Sequence, residues 1–531
     1  MSATVQKPTR PTDVAATAAR LVWIALPGPE IDDSSAELLR RGVGGVVLFS
    51  RNLASAGQVR QLTTDLRRLA PGPLRIAIDH EGGHIARIGA PLTHFPSAMA
   101  VAATGSVELA HDVARAAGLE LAALGIDVNL APVVDVALDA RNASVGARSY
   151  GSSPELVGRF AAATVRGYRA AGIAATAKHF PGHGRTHVDS HLALPKIAGG
   201  LEALRASDLP PFRAAVAAGA ELVMVSHVAV DGLTDGLPST LSSAVMRDLL
   251  RGELGFEGLA VTDSMAMRAL ADDHPIPGAC VRALVAGVDV VVPLERQSEA
   301  VDAVAAALVD GTLPVTRVTE AFDRGARLDV RLNGVPARPP LGLPNAEHLE
   351  LARTTARRSL TLLAGEDLLP IDASTSVAVI EFASRRPSLV EESLPETPTL
   401  GAALGRHLPR VREVVVDALT NFAAGARAAA EAVAGAEFVI LATRDAYLWP
   451  EERELIGRLG AGRPDMVVAL RNPYDLAVVA PPTAGAAAAY ADVPATLEAL
   501  ADALTGRAGW PGTLPMNLRA FAGGPSGRGD A

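Results

Sequence analysis

Ile173-Ala174-Ala175-Thr176-Ala177-Lys178-His179 is an unbroken run of small and β-branched residues that stops abruptly in two polar side chains. A strand with one solvated face alternates in polarity. A run that never alternates reads as a strand buried on both faces, the situation in a parallel sheet covered by helices. Similar runs stand at Leu21–Leu26, Gly44–Phe49, Leu74–Asp79, Ile126–Val136, Leu222–Val228, Leu259–Asp263 and Val288–Leu294. Between them lie Ala/Leu/Arg-rich stretches of helical period, such as Ser106–Leu124, Pro154–Ala171 and Ser243–Leu254. Eight strand–helix units in this length predict a (β/α)8 barrel of the TIM type, with a doubly wound open sheet as the alternative. The polar residues favour the barrel. Asp79-His80-Glu81, Asp135, Lys178-His179, Ser226-His227 and Asp263-Ser264 all fall where a run ends, and barrel active sites are built at the C-terminal ends of the strands.

A chain of 531 residues exceeds one core and predicts two or three domains. The barrel is expected over 15–335. A proline-rich linker follows over 336–346, carrying Pro336, Pro339, Pro340 and Pro344. Residues 347–525 begin with a helical stretch, Glu347–Leu363, and continue with strand-like runs at Val377–Phe382, Val414–Val416, Phe438–Leu441 and Val467–Leu470. This region reads as a smaller three-layer αβα domain. It has no Gly-x-Gly-x-x-Gly after its first strand, so no dinucleotide is expected. The tail Gly523–Ala531 reads as disordered. The fold class is therefore α/β.

A net charge of −9 argues against a nucleic-acid partner. The single cysteine, Cys280, excludes an intramolecular disulfide and a cysteine-rich metal site. The first residues contain no uninterrupted apolar segment of the signal-peptide kind, and no apolar run reaches the ~18–20 residues of a membrane span. A cytoplasmic protein without a membrane span is expected.

The chemistry gathers after the fifth run. His179, His183, His187 and His191 recur every four residues, a spacing that on a helix would align imidazoles for a metal. Pro181, Gly182 and Gly184 interrupt any helix there, and a glycine-rich loop suits a mobile catalytic segment better. Asp189 stands two residues before His191, where a carboxylate could orient the imidazole and raise its basicity. Asp263 closes an apolar strand and could serve as nucleophile, general base or helix cap. Arg87 and Arg148 could grip hydroxyls or a carboxylate.

The segments AIDHEGGHIARI (77–88 with Ile76 before it in the run), GIDVNLAPVVDV, RSYGSSPELV, AKHFPGHGRTHVDSHLALP, SDLPPFRAAV and GLAVTDSM occur in this order. They resemble glycoside hydrolase family 3, and within it the bacterial β-N-acetylglucosaminidases of cell-wall recycling. The KHFPGHG…DSH signature carries the resemblance, which plausibly spans 15–335; the segment Leu470–Asp475 is similar to one in the family's two-domain members. The resemblance implies a retaining exo-β-N-acetylglucosaminidase acting on a carbohydrate substrate, either muropeptide fragments, chitooligosaccharides or other N-acetylglucosaminides. It implies Asp263 as nucleophile, His191 as acid/base and Asp189 as the group that holds His191. Asp79, Arg87, Arg148, Lys178 and His179 match positions that bind the sugar. No metal and no cofactor are implied. Two alternatives stay open: a phosphorylase using the same residues with phosphate as acceptor, and a metal-dependent hydrolase using the histidine-rich loop. His80 and His84 depart from the family's usual glutamine and arginine, and Arg185 stands where an acidic residue is common. The last change is expected to alter the loop's charge and its leaving-group preference. All eight implied residues lie in the barrel region, which leaves the second domain a structural or interfacial role.

Overall fold

The computed structural model describes residues 13–334, 341–383, 385, 388, 391, 398–417, 419–459, 464–479 and 484–518. The first part of the expected linker and the whole tail Gly523–Ala531 lie outside the described residues.

The chain forms two compact units that do not follow chain order. One comprises Met1–His80, Ala114–Asp135 and Ala161–Gly342; the other comprises Glu81–Val113, Val136–Phe160 and Leu343–Ala531.

The first unit is the barrel. Its strands are β1 (Trp23–Ala25), β2 (Gly45–Leu48), β3 (Arg75–Ile78), β4 (Val128–Asn129), β5 (Ala174–Phe180), β6 (Leu222–Val225), β7 (Leu259–Ser264) and β8 (Val290–Val292). They pair in parallel in chain order. The ring closes through a parallel bridge between Val22 and Val291, where the Val291 N–H donates to Leu21 O at 2.9 Å. An open doubly wound sheet would leave those two edges apart. Each of the eight apolar runs holds one of the strands, with β5 and β7 each extending one residue past the end of its run. Alternate residues, among them Val47, Ala77, Val128, Ala174, Leu222, Met224, Leu259, Val261, Val290 and Val292, share one core cluster. The intervening residues, such as Ile76 and Val291, are buried too, which is why the runs show no polar alternation.

β4 is short because Pro132 has no N–H to give. Its ladder nonetheless continues toward the loop: Lys178 N–H donates to Pro132 O at 3.2 Å, and Val134 N–H to Lys178 O at 2.7 Å. This carries Asp135 to the exit of β5. The predicted helix Ser243–Leu254 exists at Ala244–Glu253 but is wound with the wider π-helical hydrogen bonding.

In the second unit the strands are β9 (Thr361–Ala364), β10 (Val377–Phe382), β11 (Val411–Val416), β12 (Phe438–Thr443), β13 (Met466–Ala469) and β14 (Gly485–Ala488), in the order β9-β14-β13-β12-β10-β11. Only β9 runs antiparallel to its neighbour. Period-two alternation divides the sheet's side chains between two cores. Ala378, Ile380, Val439, Leu441 and Val467 pack with Ala429 and Leu455 from helices Phe422–Ala434 and Pro450–Leu459. Val377, Val379, Ile440, Met466 and Val468 pack with Ala356 and Leu497 from helices Ala346–Ser359 and Pro494–Leu504. This is the three-layer arrangement.

Two strands here depart from the sequence expectation. The helix expected over Glu347–Leu363 stops at Ser359, and Thr361–Ala364 becomes β9. β14 has the sequence Gly-Ala-Ala-Ala, which carries no β-branched signal. Its smallness is steric: a Cβ on Gly485 would lie 2.8 Å from Met466 Cε.

At the start of β8, Asp289 is fully buried and receives Arg251 at 2.7 Å, Arg324 at 2.8 Å and Arg317, together with the Ala260 N–H at 2.8 Å. It joins β7 to the helix Val315–Asn333. Removing one partner of a buried charge group leaves the others uncompensated, at about 3–5 kcal/mol. Asp289→Ala is therefore expected to destabilise the barrel by about 3 kcal/mol or more, read as a lower urea midpoint for the loss of barrel structure. An unchanged midpoint would mean that the three arginines find water instead.

Candidate active site

The exits of β3, β4, β5 and β7 carry the side chains of interest. Lys178 on β5 is buried, and its Nζ lies 2.6 Å from Asp79 Oδ1 at the end of β3. A lysine so enclosed keeps its charge only beside an anion. His179 follows. Its Nδ1 is 2.6 Å from Asp135 Oδ2, and its backbone N–H donates to the same oxygen at 3.2 Å. The other oxygen of Asp135 accepts the His183 N–H at 2.7 Å. Burial raises the Asp135 carboxyl, but the His179 imidazole and these hydrogen bonds outweigh it and hold it below the usual carboxylate value.

The glycine-rich loop is pinned from its start. Gly182 has φ +134°, and a Cβ there would lie 2.6 Å from Asp208 Cβ, so no other residue fits. His183 is buried, with Nδ1 3.0 Å from Thr186 Oγ1 and Nε2 3.2 Å from Ser190 Oγ. Arg185 does not present its charge to an incoming ligand. It is spent on Asp208, at 2.8 Å, and on Ser207, which corrects the expectation that it resets the loop's charge.

The four histidines therefore have separate environments. His179 is held by Asp135, His183 by Thr186 and Ser190, and His191 by Asp189, while His187 is exposed. Among the described residues, no group of three or more His, Cys, Asp and Glu side chains gathers as metal ligands.

Asp189 Oδ1 lies 2.7 Å from His191 Nδ1 and accepts the His191 backbone N–H at 2.9 Å. A carboxylate accepts, so Nδ1 carries the proton and Nε2 is the atom left for proton exchange. The Ser190 carbonyl accepts the Ala269 N–H at 3.1 Å, which ties this part of the loop to the segment after β7. Asp263, on β7, accepts the Ser264 N–H at 2.8 Å on Oδ1. Burial raises its carboxyl, but the imidazoles of His179, His227 and His191 together hold it below the usual carboxylate value. The Asp263 carboxyl thus lies in the field of three imidazoles, two of them backed by carboxylates of their own, Asp135 on His179 and Asp189 on His191.

The barrel unit accordingly holds Asp79, Lys178, His179, Asp189, His191 and Asp263. Arg87 and Arg148 belong by their contacts to the second unit. Both are buried, and Arg148 grips Glu81 bidentately, Nε to Oε2 at 2.8 Å and Nη2 to Oε1 at 2.7 Å. Both arginines lie within 15–335, on excursions that cluster with Leu343–Ala531 and not with the barrel. The excursions after β3 and β4 bury Met99, Ala100 and Ala147 in the same core as β10, β12 and β13.

Three residues that the structure ties to the expected site residues were given no role in the sequence reading: Asp135, His227 and Glu81. Asp135 and His227 both carried a signal, as polar residues closing apolar runs. Nothing in the sequence paired Glu81 with Arg148, 67 residues away.

Residues 19–328 match the model of the glycosyl hydrolase family 3 N-terminal domain. Over 412 residues the chain is 31% identical to beta-hexosaminidase A of Pseudoalteromonas piscicida, covering 71% of this chain and 68% of that one. It is 36% identical over 313 residues to a beta-hexosaminidase of Stenotrophomonas maltophilia, covering 58% of this chain and 92% of that one. Among solved structures, a glycoside hydrolase family 3 beta-N-acetylglucosaminidase from Paenibacillus sp. str. FPU-7 is similar with a TM-score of 0.90 at 36% identity, over 95% of this chain and 99% of that one.

The loop's anchoring makes a prediction about acid. Burial pushes the His183 imidazole down to about 4, below its ordinary 6.5. Between those values the unfolded chain binds a proton that the folded one refuses, so stability falls as pH drops through this window, by up to about 1.4 kcal/mol per pH unit from this group. His183→Asn is expected to flatten that acid branch in urea midpoints measured at pH 7, 5.5 and 4.5. An unaltered slope would show that His183 is not held neutral.

Proposed function

Because this chain belongs to glycosyl hydrolase family 3, we propose that it is a retaining exo-β-N-acetylglucosaminidase working through a covalent glycosyl–Asp263 intermediate. The observation that carries this reading is the Asp263 carboxyl held below its usual value with the His191 imidazole among the groups acting on it, and Asp189 on His191 Nδ1 at 2.7 Å. A nucleophilic carboxylate must be deprotonated, and a carboxyl buried without those imidazoles would not be.

In the first half-reaction an oxygen of Asp263 attacks the anomeric carbon while His191 Nε2 gives its proton to the departing oxygen. In the second, His191 Nε2 takes a proton from water as that water attacks the same carbon and releases Asp263. Most retaining glycosidases use a second carboxyl as acid/base, with the two ~5–5.5 Å apart. An imidazole titrating near neutrality serves the same two roles, and Asp189 fixes its tautomer and supports its charged form. Asp79, Lys178 and His179 bind the sugar's hydroxyls, with Asp135 fixing the His179 ring. The relatives named as beta-hexosaminidases and the beta-N-acetylglucosaminidase from Paenibacillus support N-acetylglucosamine as the sugar. Water is the acceptor in this reading; assays with and without inorganic phosphate separate it from phosphorolysis.

Asp263→Asn is expected to lower turnover of 4-nitrophenyl N-acetyl-β-glucosaminide by roughly four orders of magnitude, the scale on which removal of a covalent nucleophile acts. Retention of most activity would sink the assignment. His191→Ala is expected to slow substrates with poor leaving groups far more than activated phenyl glycosides, because only the former need protonation. Equal losses on both would remove the acid role. Asp189→Asn should reduce kcat less than Asp263→Asn does, since His191 remains in place.

A further inference from the structure

His227 transfers no proton in the mechanism above, yet it holds the residue next to the nucleophile. It ends the run that contains β6 and is completely buried. Its two ring nitrogens both have partners. Nε2 lies 2.9 Å from the carbonyl oxygen of Ser264, and Nδ1 lies 2.7 Å from Thr240 Oγ1. Thr240 is itself fully buried, on the short turn Ser239–Leu241, and its hydroxyl lies 3.0 Å from Ser226 O.

Proton accounting fixes the ring's state at one end. A carbonyl oxygen can only accept, so Nε2 must carry a proton and donate it to Ser264 O. At Nδ1 the partner is the Thr240 hydroxyl, whose single proton is also directed at the Ser226 carbonyl. The groups whose charge acts on His227 are Asp263 and His191, and burial holds the imidazole below its ordinary value against the pull of Asp263. Nε2 therefore carries its proton in either charge state of the ring, and Thr240 holds the opposite edge.

The geometry on the other side of Ser264 completes the chain of contacts. Its N–H donates to Asp263 Oδ1 at 2.8 Å. Ser264 is thus held at both ends, its carbonyl by His227 and its N–H by the nucleophile's own carboxylate.

We propose that His227 is a positioning residue for the nucleophile: by anchoring the Ser264 carbonyl it keeps the Ser264 N–H on Asp263 Oδ1 and so presents Oδ2 to the anomeric carbon. The inference rests on Asp263 being the nucleophile. In the first half-reaction the bond from Oδ2 to the anomeric carbon forms as the glycosidic bond breaks, and the His191 proton goes to the leaving oxygen. In the second, water's oxygen bonds to that carbon, the bond to Oδ2 breaks, and water's proton returns to His191. Oδ1 stays on the Ser264 N–H throughout, so charge that returns to the carboxylate always has a donor waiting for it.

The test compares the wild type with His227→Gln, His227→Ala and Thr240→Val, all in the full chain. The readouts are kcat/KM on 4-nitrophenyl N-acetyl-β-glucosaminide, the inhibition constant of free N-acetylglucosamine and the melting temperature. A glutamine amide can reach the Ser264 carbonyl as a donor; alanine cannot. His227→Ala is expected to lower kcat/KM about tenfold, the worth of one orienting hydrogen bond, while product inhibition is unchanged. His227→Gln should recover most of that loss, and Thr240→Val, which removes only the contact at Nδ1, should show a smaller drop in the same direction. Wild-type kcat/KM in His227→Ala, a glutamine variant as slow as alanine, or a loss matched by weaker product binding would each overturn the proposal. The premise has its own readout. Trapping with a 5-fluoro-N-acetylglucosaminyl fluoride and mapping the labelled peptide by mass spectrometry should find Asp263. A label elsewhere would fail the nucleophile reading and this inference with it, whereas a label on Asp263 with wild-type rates in His227→Ala would fail the inference alone.

Discussion

A buried carboxylate, Asp135, organises the catalytic end of the barrel. Ionised and out of water, it requires hydrogen-bond donors in fixed places, because an unsatisfied charge there would cost several kcal/mol (about 3–5 on loss of a partner). Three N–H groups meet that demand: the backbone and ring of His179 and the backbone of His183. The consequences spread outward. The His179 ring has its Nδ1 face committed and can turn only Nε2 toward a ligand. The loop must fold back over Asp135 immediately after β5, which brings Gly182 against Asp208 at a distance no Cβ would tolerate. His183 is drawn into the interior, where it ties Thr186 to Ser190. Ser190 in turn reaches the segment after β7. A loop that its glycines would otherwise leave free is thereby held, from Asp135 as far as the residue beside His191.

The barrel was legible in the sequence because its signal is redundant. Eight runs carried the same double-sided burial, and each holds a strand even where the strand itself is two or three residues long. The second unit was legible where β-branched residues marked a strand, as in Val377–Phe382, and illegible at Gly485–Ala488, where close packing against Met466 demanded small side chains and erased the compositional signal. The helix expected to run to Leu363 shows a related limit. Leucine-rich sequence near a helix end suits strand or helix equally, and Thr361–Ala364 takes the strand because it can pair with Gly485–Ala488. Long-range pairing, not local preference, decides such cases.

The candidate site shows the same division. Residues that close apolar strands were visible as a class, so Asp79, Lys178, His179 and Asp263 could be picked out, and Asp135 and His227 stood in plain view among them. What sequence order could not show is which of them face each other. Two of the carboxylates at strand ends turn out to be partners for a cation or an imidazole, Asp79 for Lys178 and Asp135 for His179. Nor does chain order reveal that Arg87 and Arg148 fold with the second unit. Arg148 needed Glu81, and both sit on excursions whose apolar residues, Met99 and Ala147 among them, find their core with the later sheet. Equally, the four-residue histidine period carried no structural meaning once Pro181 and the glycines had excluded a helix. The imidazoles went to four different environments.

The electrostatics of the site give the histidine acid/base a reason beyond its ordinary titration range. Asp263 is kept ionised against its own burial by the surrounding imidazoles. In the proposed reaction a glutamic acid and Asp263 together would carry one negative charge before and after the step, moved from the nucleophile to the acid. His191 instead goes from cation to neutral. Its loss of positive charge coincides with the loss of negative charge on Asp263, which becomes a neutral ester. The two changes cancel locally, and the reverse pair cancels when water releases the sugar. Asp189 stays ionised through both steps and is compensated by the Nδ1–H and the His191 backbone N–H. A low-dielectric pocket penalises any step that leaves a net charge behind. Pairing a carboxylate nucleophile with a cationic acid keeps that pair neutral before and after each half-reaction, where two carboxyls would keep one uncompensated negative charge, provided that Asp189 holds the imidazole with its Nε2 toward the glycosidic oxygen.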